Sequence, residues 1–244
     1  IESAQKRFNA ALAAEPDNAS AQLGLARLAA IKGDFAAADR MVDGVLAKNP
    51  READAWHFKG DLQRAAQKPL EAREAYKKVL DIKPNSTSVH ANIIMLDLQD
   101  NKLEAAGKQL AEMQKVAPKQ PLTVYLEALL AFSRKDIPAA SAAIENLLKM
   151  QPENPQGLQL AGAIAYVKRS DVQAQEYLAK ALQKAPQLDY ARRILVKSYQ
   201  RSAQPAKALA TLQPVLSSKK IAHEWLTLAG EVFMQNGDTE KAAD

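Results

Sequence analysis

The chain has 244 residues and no cysteine, which removes disulfides, thiolate metal ligands and a cysteine nucleophile from consideration. The same absence leaves the redox compartment open. Glycine is scarce, nine residues in all, which argues against a turn-rich sheet protein. No apolar run approaches the ~18 residues that a membrane-spanning helix needs, and no basic-then-apolar leader opens the chain. Only three histidines occur, His57, His90 and His223, with no second ligand at metal-like spacing. No Gly-rich phosphate loop, Gly-x-Ser-x-Gly elbow or His-Glu-x-x-His motif is present. The expectation is therefore a protein without catalytic residues, metal or cofactor.

What the sequence does hold is period. Prolines fall every 34 residues at Pro16, Pro50, Pro84, Pro118, Pro152 and Pro186, and alanines at the same step at Ala4, Ala38, Ala72, Ala106, Ala140, Ala174, Ala208 and Ala242. Self-similarity at that spacing marks a solenoid, in which each unit buries its apolar face only against its neighbours. With the recurring proline at place 32 of each unit, two amphipathic stretches appear, separated by a break near places 15 to 18. Ala19 to Ile31 and Phe35 to Lys48 form the first such pair, with Lys32-Gly33-Asp34 between them. Gly and Asn tolerate the left-handed backbone that ends a helix, and Asp caps the next one.

Prolines at Pro69, Pro138 and Pro205 sit in the break or first turn of a second helix, where a missing N–H costs little. Pro121 and Pro155 open first helices in the same way. Small residues at place 8 (Ala26, Gly60, Ala128, Gly162, Gly230) and alanine at place 20 let the two helices approach. Place 24 carries the bulk, in Phe8, Val42, Tyr76, Leu110, Ile144, Leu178 and Leu212. Departures are Ile94 and Val196 at place 8, Met113 where alanine is usual, Lys220 for the seventh proline, and Pro214, which is expected to kink its helix.

This pattern resembles the tetratricopeptide repeat, with Trp56, Gly60, Ala72, Tyr76 and Pro84 as its best-matched unit and Gly230, Phe233, Gly237 and Ala242 as another. The resemblance implies an all-α fold, an alpha-alpha superhelix built as a right-handed solenoid of helical hairpins. The expected domain is one array over residues 1–244: a lone second helix over 1–18, six full repeats over 19–222, and a partial repeat over 223–244. The chain reads as a piece of a longer array.

Several phrases in a set order, among them Ala55 to Leu62, Tyr125 to Phe132, Leu160 to Ala163, Tyr190 to Arg193, Ala210 to Leu216 and Leu228 to Glu231, resemble the PrsT family of tetratricopeptide lipoproteins of the PEP-CTERM/exosortase system. That resemblance implies a periplasm-facing scaffold in the cell envelope of a Gram-negative bacterium, lipid-anchored outside this segment and linked to exopolysaccharide production or protein sorting. A cytoplasmic location stays open.

In tetratricopeptide arrays the first helices line the concave face through places 2, 5, 9, 12 and 13. Carried onto this chain, the face begins polar at Arg27, His57, Asp61 and Arg64. It becomes apolar at Met95, Leu98, Leu122, Tyr125, Leu129, Phe132 and Tyr166, and basic at Arg193, Lys197 and Arg201. An apolar floor between polar ends suits a protein or peptide partner; the alternative is that these residues are simply buried by neighbouring units. The Lys, Asn and Arg set of chaperone-tail binders is not reproduced.

The net charge of +5 is uneven. Residues 189–222 hold seven basic residues and one acid, so they alone carry +6. A basic patch raises direct binding of an anionic polysaccharide as the rival function, against a merely solvated helix face. Nucleic acid is not favoured, since no reading motif or interleaved exposed aromatics accompany the charge.

Overall fold

The computed structural model describes residues 1–218 and 221–238. Ala242 of the alanine ladder, and Lys219 and Lys220 of the basic segment, lie outside the described residues. The described residues hold fourteen α-helices and no strand: α1 (Glu2–Ala14), α2 (Ala19–Ile31), α3 (Phe35–Lys48), α4 (Ala53–Ala65), α5 (Pro69–Ile82), α6 (Thr87–Gln99), α7 (Leu103–Val116), α8 (Pro121–Ser133), α9 (Ile137–Met150), α10 (Pro155–Val167), α11 (Asp171–Lys184), α12 (Asp189–Arg201), α13 (Pro205–Leu216) and α14 (His223–Gln235). The all-α hairpin-repeat fold is the one expected, and the boundaries of α2 and α3 fall where the period places them.

The helices gather into two compact units, Ile1–Pro118 and Lys119–Asp244. In the first unit α2 packs on α3, α4 on α5 and α6 on α7, and each hairpin packs on the next. In the second the hairpins are α8 with α9, α10 with α11 and α12 with α13, followed by α14.

Burial follows the period. Ala38, Ala72, Ala106, Ala140, Ala174 and Ala208 are all at 0% exposure, and Val42, Tyr76, Ile144, Leu178 and Leu212 at place 24 are buried with them. Burying each such large side chain stabilises by about 1.5–3 kcal/mol. Place 24 lies over place 8 of its own hairpin: a Cβ built on Gly60 would stand 2.4 Å from Tyr76 Cε1, and one on Gly162 would stand 2.4 Å from Leu178 Cγ. Val42 also shares a core cluster with Ala55 and Leu62 of the following hairpin, so the same side chain serves the seam between hairpins.

The break within each hairpin is sharper than its composition suggests. Place 15 has positive φ in every case: Gly33, Gln67, Asn101, Lys135, Arg169, Ala203 and Gly237. The N–H at place 16 then donates to the carbonyl at place 11, as in Asp34 to Ala29 at 2.9 Å and Gln204 to Tyr199 at 2.9 Å, which closes a Schellman motif. Four of these positions carry Gln, Lys, Arg or Ala. Asp34 and Asp136 accept from Ala37 N and Ala139 N and cap the helix that follows. Pro214 lies inside α13, which runs on to Leu216 and is two residues shorter than the second helices of 14 residues.

The turn between hairpins has its own fastening. At place 4 a side-chain N–H donates to the carbonyl of the recurring proline six residues earlier: Gln22 Nε2 to Pro16 at 2.9 Å, Trp56 Nε1 to Pro50 at 2.8 Å, His90 Nε2 to Pro84 at 2.8 Å, and Arg192 to Pro186 at 2.7 Å. Val124 and Leu158 occupy place 4 without a donor, and their helices, α8 and α10, instead begin on a proline.

Candidate functional site

Within the second unit, Tyr125, Leu129 and Phe132 project from α8 at spacings of four and three residues, which places them on one helical face. All three are half-buried and pack against the α8–α9–α10 core. Phe132 also packs, with Tyr166 of α10, against the core of the next hairpin. The Arg201 guanidinium lies 3.8 Å from the centre of the Tyr166 ring, a cation–π contact. The structure therefore joins Tyr125, Leu129, Phe132, Tyr166 and Arg201 into one strip, with exposed Leu122 beside Tyr125. Burial pushes the Tyr125 hydroxyl above its ordinary pKa, so it stays a neutral donor. Half-burial also means that truncating these rings costs stability as well as partner contact.

The basic end of the strip is largely spent within the chain. Arg201 donates to both oxygens of Asp171, with Nε at 2.9 Å from each, and to the Tyr166 carbonyl at 2.8 Å. Ser198 Oγ adds a bond to Asp171 at 2.9 Å. The Arg201 hydrogen bond holds the Asp171 carboxyl below its ordinary pKa, and Asp171 in turn raises that of Arg201. Arg193 pairs with Glu224 and stacks on Trp225, and buried Arg192 donates to Thr211 and Pro186 carbonyls. Lys207 lies over the Tyr199 ring at 5.7 Å. Lys197 is exposed. Sequence position shows these charges but not their pairing; the visible signal is an acid and an arginine 30 residues apart on neighbouring hairpins.

In the first unit, Met95 is exposed and Leu98 half-buried on α6. The polar residues on the same faces are engaged: Tyr76 donates to Asp61 at 2.7 Å, His57 Nε2 lies 3.2 Å from Asn92 Nδ2, and Arg27 lies 5.3 Å from the centre of the Phe58 ring. Arg73 Nε donates to Asp97 at 2.9 Å, an ion pair that is nearly solvent-free and that sequence reading did not single out.

A cavity of about 610 Å³ opens at the starts of α8 and α10. Gln120, the N-cap residue of α8, lines it with Pro121, Leu122 and Tyr125 of that helix, Gln151 and Asn154 line it from the α9–α10 turn, and Gln156 from the first turn of α10. No Asp, Glu, Lys, Arg or His belongs to this lining. Asn154 is committed to the fold: its Oδ1 caps α10 at Gly157 N, 2.8 Å, and its Nδ2 donates to Gln151 Oε1, 2.8 Å. Among the described residues no three His, Asp or Glu side chains gather as a metal-binding group, and no helix is long and apolar enough to cross a membrane.

Comparison with known proteins places this geometry in a family. A tetratricopeptide-repeat profile matches residues 1–62, and a second profile of the same description matches 125–189 and 195–244. Human protein O-mannosyl-transferase TMTC3 is 24% identical over 235 residues, which is 94% of this chain but 25% of that protein; the chain thus spans a quarter of that relative. A tetratricopeptide repeat protein from Parabacteroides merdae superposes with a TM-score of 0.71 at 15% identity, over 92% of this chain and 89% of its own. PilW, a type IV pilus biogenesis factor, superposes with a TM-score of 0.72 at 15% identity, over 86% and 98%. Likeness at that identity speaks to fold alone. With hairpin period, buried alanine ladder and matched profiles in agreement, the chain belongs to the tetratricopeptide-repeat family.

Proposed function

We propose that this chain is a noncatalytic protein-interaction scaffold that docks a partner segment on the first helices of its second unit. The observation that carries the reading is the strip of Tyr125, Leu129, Phe132 and Tyr166. It presents half-buried aromatic and aliphatic side chains on a firmly packed backing, the type of anchor that dominates protein interfaces. Tetratricopeptide folds generally serve protein or peptide partners, and repeat proteins of this family are generally scaffolds without catalysis. The order of unit-specific phrases supports a more specific setting: a periplasm-facing component of a Gram-negative envelope, working with exopolysaccharide production or PEP-CTERM protein sorting. Binding of an anionic polysaccharide by residues 189–222 has less support, because Arg192, Arg193 and Arg201 already bond within the chain.

A photo-crosslinking side chain placed at Leu122, with Val172 as an exposed control on α11, tests the docking surface. The expected result is one defined envelope protein captured from position 122 and not from 172, with Leu122→Glu weakening that complex at least about tenfold, or 1.4 kcal/mol. Equal capture from both positions would remove the strip from consideration.

A further inference from the structure

The cavity at the starts of α8 and α10 differs in chemistry from the strip beside it. Its polar groups are all uncharged. The Tyr125 hydroxyl and the Gln120 and Gln156 side chains make no hydrogen bond within the described residues, and the Gln151 amide nitrogen remains unspent after its oxygen accepts from Asn154. Leu122 supplies an exposed apolar wall and Tyr125 an aromatic one. The volume lies in the range of about 300–1,000 Å³ typical of small-molecule sites.

We propose that this cavity binds a neutral pyranose sugar. A sugar hydroxyl donates and accepts at the same time, and a primary amide or phenol meets it with both functions within one group. Anionic ligands find no cation in the lining, and cationic ligands no carboxylate. The C–H face of a pyranose ring matches Leu122 and the Tyr125 ring, while its hydroxyl edge matches the three glutamines. A peptide strand following the array would draw on polar groups spaced along the first helices. Here they are gathered at two helix starts and one turn, the arrangement suited to a compact ring. The sugar is either a free oligosaccharide or a glycan carried by a protein segment. The inference does not depend on the docking reading, since sugar binding is measured without a partner protein.

The test is an NMR titration of the full chain with four neutral disaccharides of gluco, galacto and manno configuration: cellobiose, maltose, lactose and mannobiose. At least one is expected to produce saturable shifts at the side-chain amides of Gln120, Gln151 and Gln156, with a Kd in the millimolar range. Tyr125→Phe, which keeps the ring and its packing, and Gln156→Leu are each expected to weaken that binding about tenfold. A glycosylated and an unglycosylated form of one capped, uncharged peptide separate the sources. Binding of the glycopeptide more tightly than the free sugar assigns a protein-borne glycan, and equal binding assigns the free sugar. Absence of saturable shifts with all four sugars up to about 50 mM overturns the proposal. So does an unglycosylated peptide that shifts the same three amides as strongly as any sugar.

Discussion

Two glycines inside helices of the first unit are expected to respond in opposite directions to the same substitution. Gly60→Ala adds a methyl group that would stand 2.4, 2.6 and 2.9 Å from Cε1, Cδ1 and Cζ of Tyr76. Ordinary carbon contacts lie at about 3.5–4.0 Å, so ring and helix must separate by roughly 1 Å. Tyr76 cannot yield easily, because it is fully buried and its hydroxyl is held by Asp61 at 2.7 Å. Overpacking of this kind costs about 1–3 kcal/mol, against a helix-propensity gain of about 1 kcal/mol from removing glycine. The net expectation is a loss of about 1–2 kcal/mol, toward the upper part of that balance because the ring is tethered. Gly44 lies exposed in α3, with nothing within 4 Å of its missing Cβ. There the propensity term acts alone, and Gly44→Ala is expected to stabilise by about 0.5–1 kcal/mol. Urea unfolding followed by circular dichroism reads both as shifts in midpoint. Native-state hydrogen exchange of α4 and α5 locates the effect even where the array does not unfold in one step. In a double-mutant cycle, Gly60→Ala combined with Tyr76→Ala should cost at least about 1 kcal/mol less than the sum of the two. Shifts of the same sign for both glycines, or an additive cycle, would refute the claim that place 24 sits on place 8.

The left-handed residues at place 15 carry a cost of about 1–2 kcal/mol each when they bear a Cβ, partly offset by the entropy glycine would lose. Lys135→Gly with Ala203→Gly is thus expected to raise stability by about 1 kcal/mol in total, and Gly33→Ala to lower it, both measured as urea midpoints. Asp171 has a folded-state pKa below its unfolded value because of Arg201. It therefore contributes stability that is present above the ordinary carboxylate pKa of about 3.9 and lost as pH falls through the folded value. Melting temperatures taken from neutral to strongly acidic pH should show this acid-side loss in the native protein and a shallower one in Asp171→Asn; identical slopes would assign the acid sensitivity elsewhere.

The helices were legible because both of their determinants are local and repeated. A 34-residue step and an apolar face recur in register, most of the breaks hold Gly, Asn or Asp, and α2 and α3 begin and end where that pattern puts them. The conformation at Gln67, Lys135, Arg169 and Ala203 was not legible from residue type. It is imposed by the bond from place 16 to place 11 and by the packing of both helices, which outweighs the preference of a single residue. The same division holds at the site. Tyr125, Leu129 and Phe132 share a face by arithmetic, whereas the consumption of Arg201 by Asp171 depends on how neighbouring hairpins stack. The donors at place 4 were in plain view, since Gln22, Trp56, His90 and Arg192 differ in everything except an N–H, but only the position of the proline carbonyl gives that shared property a meaning.

That pairing of donor and proline carbonyl makes the inter-hairpin turn an interchangeable joint. Gln22, Trp56, His90 and Arg192 secure theirs with a hydrogen bond, while α8 and α10 open on Pro121 and Pro155, whose rings hold φ without one. A bond can be lost to competing water; a ring cannot. An array with both kinds of joint can exchange, gain or lose a hairpin at either, because each joint carries its fastening within about seven residues of its own sequence.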